Sequence, residues 1–233
     1  MSRISVVTLV ALLMLSGMAA AQCDTGLTTP VSNAPYSGLR RVITVKRKTD
    51  GVSSRSEGTE SVARDSKGRT YEAGERRWTT VVGGERIEKS EILVRIFDPV
   101  GNTDTTWTSG DKKVKVVHFA PDASKKHELL TNPFSFDALA QNQGASKLGT
   151  KTIEGLSAEG TRYTDGKGFS HECWYSPALK IAILQTGDDP NYSFTDRLES
   201  IVRGEPDVRK YLPPSEYSVQ HVYMPQLDTS TER

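Results

Sequence analysis

From Tyr36 onward the chain alternates short runs of β-branched and apolar residues with polar ones, broken at short intervals by Gly, Pro, Asp and Asn. Residues 41–47 (RVITVKR) predict a strand, and the Asp50-Gly51 pair that follows is a strong hairpin signal. Residues 52–64 predict a polar strand, 65–68 (DSKG) a turn and 69–77 another strand. These strands hold few large apolar residues, so one face is expected to stay wet, as antiparallel sheets permit. Val81-Val82-Gly83-Gly84 marks a break. Residues 91–97 (EILVRIF) predict a more apolar strand, 98–102 a turn, and 103–108 and 113–119 two further strands. In the last of these Val114, Val116 and His118 share a face, and Lys113, Lys115, Val117 and Phe119 share the other.

Strands are expected to resume at Lys151 and to cover 156–164, 170–175, 179–186, 192–203 and 217–223, with one helical turn at 206–212 bounded by Pro206 and Pro213-Pro214. Strands at short regular spacing with turn signals predict a mainly β domain. The stretch 120–149 breaks the pattern. Asn132 as a cap, Pro133 at the first helical position and Gly144 as a stop predict a helix that puts Phe134, Ala138 and Leu139 on one face. Such a helix packs over a face of the sheet or forms a lid over a groove.

The first residues follow a different logic. Arg3 precedes an apolar run at 6–15, and Ala19-Ala20-Ala21 offers small residues for a signal peptidase. The run is shorter than the roughly 20 residues that a membrane span requires. The expected organisation is a signal peptide at 1–21, a flexible lead-in at 22–35, one β-rich domain at 36–223 with a helical insert at about 120–149, and a frayed tail at 224–233. The mature chain is then exported to the periplasm or beyond, with no transmembrane segment. Gln22 before Cys23 is the wrong residue for lipid attachment at that cysteine.

Composition adds three points. The formal net charge of the 233 residues is +1, which argues against a nucleic-acid partner. Charge is uneven: residues 36–90 hold 13 basic and 8 acidic side chains, whereas 181–233 hold 5 basic and 9 acidic. The two cysteines, Cys23 and Cys173, form a candidate disulfide in an oxidising compartment, although spacing cannot show that they meet.

Candidate chemistry is sparse. His118, His127, His171 and His221 stand at no metal spacing, and His171-Glu172-Cys173 offers too few ligands on one strand face for zinc. No GxSxG elbow occurs, Gly166-Lys167-Gly168 opens no helix, and Asp188-Asp189-Pro190-Asn191 reads as a hairpin turn. No metal, cofactor or catalytic residue is expected. Trp174-Tyr175 is the most distinctive cluster: the two rings point to opposite faces of their strand, so that one plugs the core while the other covers the outside or lines a groove.

Residues 148–164 (LGTKTIEGLSAEGTRYT), 172–184 (ECWYSPALKIAIL) and 197–217 (RLESIVRGEPDVRKYLPPSEY), with 64–70 (RDSKGRT) and 97–100 (FDPV) upstream, resemble a family of uncharacterised exported bacterial proteins. More distantly, the layout is similar to the LolA-like superfamily of lipoprotein carriers and RseB-type periplasmic sensors, with 149–155 (GTKTIEG) as the closest fit. That resemblance implies a curved antiparallel sheet, an open half-barrel, with one or two short helices on the concave side. The connection at 165–170 is shorter than the resemblance leads one to expect. Two roles follow from it. One is an envelope protein that binds a lipid, acyl chain or lipidated peptide in an apolar groove lined by Phe134, Leu139, Trp174 and Tyr175. The other is a sensor or protein-interaction module. Neither is an enzyme.

Overall fold

The computed structural model describes residues 31–47, 53–82, 85–120, 145–165 and 168–224. Twelve strands form one sheet: β1 (Tyr36–Arg47), β2 (Ser53–Arg64), β3 (Thr70–Val82), β4 (Glu85–Asp98), β5 (Thr103–Thr108), β6 (Lys113–His118), β7 (Ala145–Ile153), β8 (Leu156–Thr164), β9 (Ser170–Ser176), β10 (Ile181–Asp188), β11 (Tyr192–Arg203) and β12 (Ser218–Tyr223). The order across the sheet is β12-β6-β5-β4-β3-β2-β1-β11-β10-β9-β8-β7. Strands β1 to β6 pair in chain order, as do β7 to β11, and β1 joins the two halves by pairing with β2 on one side and β11 on the other. The sheet stays open, with β12 and β7 as its edges.

Two expectations are corrected. The sheet is mixed, because β12 runs parallel to β6. The chain reaches β12 by crossing the sheet from the end of β11, and that crossover brings it in alongside β6 in the same direction. The insert is also shorter than 120–149, since Ala145–Ile153 is strand that pairs with β8. Lys147 and Gly149 are poor strand residues, but an edge strand exposes one side and tolerates them. The predicted helix at 132–144, the signal peptide and the Asp50-Gly51 turn lie outside the described residues. The predicted helical turn is present as a single 3₁₀ turn, Val208–Tyr211.

Most turns rest on one device, an aspartate whose carboxylate accepts backbone N–H groups just ahead of it. Asp65 accepts from Lys67 and Arg69, Asp98 from Val100 and Gly101, Asp189 from Asn191 and Tyr192, and Asp207 from Arg209. Asp189 therefore serves the hairpin that its sequence context predicts.

The core has two centres. One gathers Ile153, Leu156, Ala158, Trp174, Leu179, Ile181, Ile183 and Leu198 with Tyr36 and Val62. The other gathers Val94, Ile96, Trp107 and Val114 under Tyr211 of the 3₁₀ turn. Tyr211 meets Tyr71 edge-on at 6.4 Å, and the Arg69 guanidinium lies 4.6 Å over the Tyr211 ring. Burial first, with Asp65 nearby, raises the Tyr211 hydroxyl above the ordinary phenol range.

The uneven charge along the chain is cancelled in space. Pairing β1 with β11 and setting the β10–β11 turn beside the end of β1 brings the basic and acidic segments together: Arg40 meets Asp196, and Arg47 meets Asp188.

Candidate functional site

Residues directly opposite one another in a sheet share a face. Arg40 stands opposite Leu198 and Glu60, Glu60 opposite Gly74, and Glu72 opposite Arg95. Asp196 and Asp104 sit two residues along their strands from the partners of Arg40 and Arg95. One face thus carries a belt of ionised groups over six adjacent strands: Asp196 on β11, Arg40 on β1, Glu60 on β2, Glu72 on β3, Arg95 on β4 and Asp104 on β5.

The ends of the belt are tightly paired. Arg40 donates Nε to both Asp196 oxygens at 3.0 Å and Nη2 to Oδ2 at 2.5 Å. Arg95 repeats this with Asp104, at 3.0 Å from Nε and 2.7 Å from Nη2. Such forked arginine–carboxylate pairs fix geometry as well as charge. Burial on its own lowers the Arg40 pKa, but the bond to Asp196 overrides it and holds the guanidinium firmly charged. The middle is less satisfied. Glu60 reaches Arg40 only at 3.8 Å, and Glu72 lies between the two arginines with Glu60 and Asp104 as like-charged neighbours. Burial, helped by that repulsion, raises the Glu72 carboxyl above the usual range. Gly74 makes the arrangement possible: a Cβ there would stand 2.7 Å from Glu60 Cγ, so the glycine leaves the space in which the Glu60 stem lies.

The residues singled out from sequence fall elsewhere. Trp174 is buried in the first core centre, with its ring over Gly160 and the Lys151 ammonium 3.6 Å from the ring centroid. A Cβ at Gly160 would stand 2.6 Å from that ring, so Gly160→Ala is expected to push the indole out of place and destabilise the fold by about 1–3 kcal/mol; a thermal melt of the variant checks this. Tyr175, the next residue, faces the other way and stays half-buried. Phe134 and Leu139 lie outside the described residues. Cys173 is fully buried against Ala182, with Tyr163 packed over them, and it is not a free thiol; Cys23 lies outside the described residues.

His171 shares the face of Cys173 and is buried between Phe169 and Phe194, with ring centroids 6.5 and 5.5 Å away. Burial pushes its imidazole down to about 4, against a hydrogen bond with Gln185 that works the other way. Glu172 points to the opposite face and pairs with Arg162. Among the described residues no three of His, Cys, Asp or Glu gather at metal-binding distance.

Beside the belt, Tyr36, Val62, Ile181, Ala182 and Leu198 line a cleft with Arg40 and Asp196 at its side. Its volume is about 10 Å³, room for about one water molecule. The belt escaped the sequence reading because its six members come from six strands; only alternation on each strand was visible, and that does not give register.

No family model matches the sequence, and no curated protein matches it. Similar solved structures include a conserved protein from Thermus thermophilus, at 8% identity over 86% of this chain and 94% of that one, with a TM-score of 0.44. The Pseudomonas aeruginosa MucA/MucB complex is similar at 15% identity and a TM-score of 0.43, over 84% of this chain and 62% of that one. The Mycobacterium tuberculosis lipoprotein LppX is similar at 13% identity and a TM-score of 0.35, over 73% of this chain and 87% of that one. No helix among the described residues is long and apolar enough to cross a membrane.

Proposed function

We propose that this chain is an exported, non-enzymatic interaction module of the cell envelope, which takes a basic segment of a protein partner on the ionised face of its sheet. The belt carries the reading. Two carboxylates, Glu60 and Glu72, stand at its centre with too little guanidinium between them, and a lysine or arginine from a partner supplies the missing charge. Burying the belt under such a partner strengthens each of these pairs, since screening by water is lost. Binding rather than catalysis is our reading of a belt in which both guanidiniums are tied to carboxylates while the two central carboxylates await a cation.

An acyl ligand is the competing occupant. It is disfavoured because the cleft beside the belt holds about one water, while charged groups floor the face around it. A bridge between Cys23 and Cys173 belongs to the proposal, as it would anchor the lead-in to the buried side of β9 in an oxidising compartment.

The double variant Glu60→Gln/Glu72→Gln tests the reading. It removes the charge without changing shape, and it relieves both the burial of a Glu72 carboxylate and its repulsion by Glu60. The variant is expected to fold with an unchanged or higher urea midpoint yet to lose a crosslink formed in the envelope from a photoreactive residue at Thr106. A crosslink of undiminished yield in the double variant overturns the proposal. So does a lipid adduct on the exported protein in detergent-free native mass spectrometry. The denatured mass from the same sample is expected to lie about two units below that of the reduced protein, from the Cys23–Cys173 bridge.

A further inference from the structure

The outermost strand pair brings together two histidines that lie 103 residues apart in sequence. β12 runs parallel to β6, with His221 opposite Val116 and Tyr223 opposite His118. His118 and His221 therefore stand diagonally on one face, with Nε2 of His118 2.9 Å from Nδ1 of His221. The ring centroids are 5.2 Å apart. Tyr223 stacks on the His118 ring at 4.5 Å with only 11° between planes, which holds that imidazole in place. His221 is exposed. Lys113 and Lys115 occupy the alternate positions of β6 and project from the opposite face, so no ammonium of that strand competes for the spot.

Two imidazole nitrogens this close share one proton, because one ring must donate and the other accept. The same pair of lone electron pairs suits a metal ion in place of that proton. Adjacent ligands at right angles around an ion, each at about 2.0 Å, are separated by about 2.8 Å, whereas tetrahedral ligands at that distance stand about 3.3 Å apart. The observed separation of 2.9 Å is a hydrogen-bond distance, from which a small rotation of either ring reaches both arrangements, so affinity decides the ion. Tetragonal nitrogen sites are those of Cu(II) and Ni(II), and among first-row ions Cu(II) binds such ligands most tightly. Among the described residues no third His, Cys, Asp or Glu joins the pair, and in the arrangement inferred below water takes the remaining positions.

We infer that His118 and His221 form a two-histidine site for a divalent copper ion at the open β12 edge of the sheet, with half of the coordination sphere left to solvent. The site is independent of the ionised belt, which lies on the other face.

Titrating the full exported protein with aqueous Cu(II), followed by calorimetry and low-temperature electron paramagnetic resonance, tests it. One ion per chain is expected, with a tetragonal spectrum that carries splitting from two nitrogens. His118→Ala and His221→Ala are each expected to weaken binding at least about ten-fold and to remove that two-nitrogen pattern. Zn(II) is expected to bind at least about ten-fold more weakly than Cu(II). Both side chains sit at the surface edge, so an unchanged urea midpoint in each variant separates loss of a ligand from loss of the fold. Copper affinity and spectrum unchanged by either substitution, or zinc bound as tightly as copper, overturns the assignment.

Discussion

Arg64→Ala is expected to destabilise the protein by about 3–5 kcal/mol, the range for opening a void in place of a large buried side chain and leaving buried carbonyls without their donor. Arg64 ends β2 and is wholly buried. Its Nη2 donates to the Ala34 carbonyl at 2.8 Å and to the Leu179 carbonyl, and its Nε donates to Ala34 at 3.2 Å. The Tyr36 ring lies 5.1 Å from the guanidinium carbon. One side chain thus ties the entry to β1 to the β9–β10 connection, 115 residues away from it. Truncation leaves two buried carbonyls without a donor and opens a void beside Tyr36 and Leu179, and both costs act together. Lysine offers a single point donor in place of a fork, so Arg64→Lys is expected to fall between alanine and the native protein. Urea unfolding reads the effect directly: the alanine variant should lose about 1–2 M from its midpoint. Arg41→Ala, which removes an exposed arginine paired with Glu57, should leave the midpoint where it is. An Arg64→Ala midpoint equal to the native one contradicts the account.

Stability is further expected to drop as pH is lowered, through His171. Its folded pKa of about 4 lies below the ordinary histidine value of 6.5. The folded protein therefore holds this ring neutral while the unfolded chain takes up a proton, and protons favour the unfolded state. The contribution is fully present above about 6.5, shrinks through the window between about 6.5 and about 4, and amounts to about 3 kcal/mol when complete. The cause is burial among Phe169, Phe194 and Tyr163, which leaves an imidazolium without the solvent it needs. Glu72 works in the opposite sense, since its raised carboxyl gains protons more readily folded than unfolded. The His171 share is isolated by comparing native protein with His171→Phe: urea midpoints at pH 7 and pH 4.5 should differ more for the native protein than for the variant. Equal pH dependence in the two removes the assignment.

Much of the fold was legible in the sequence. Alternation and the Asp, Gly and Pro punctuation placed nearly every strand within a few residues, because side-chain period and turn chemistry act over distances of two to four residues. Asp189 and Asp207 do locally what their neighbours predict. The same local signals failed at 145–149, where Lys147 and Gly149 disguised an edge strand. They also could not reveal that β12 lies parallel to β6, since nothing within six residues encodes which strand will be its neighbour.

The functional features divide along the same line. The sequence by itself determined the β architecture, the apolar positions of the core, and a set of charges in excess on one half and deficient on the other. It could not say that Arg40 would meet Asp196, that Glu60 and Glu72 would crowd together, that Arg64 would be buried, or that His118 would touch His221. Those facts depend on strand order and register across the sheet. Order and register are set by the collective burial of two apolar centres, and ionic partners hundreds of bonds apart along the chain fall into place only as a consequence.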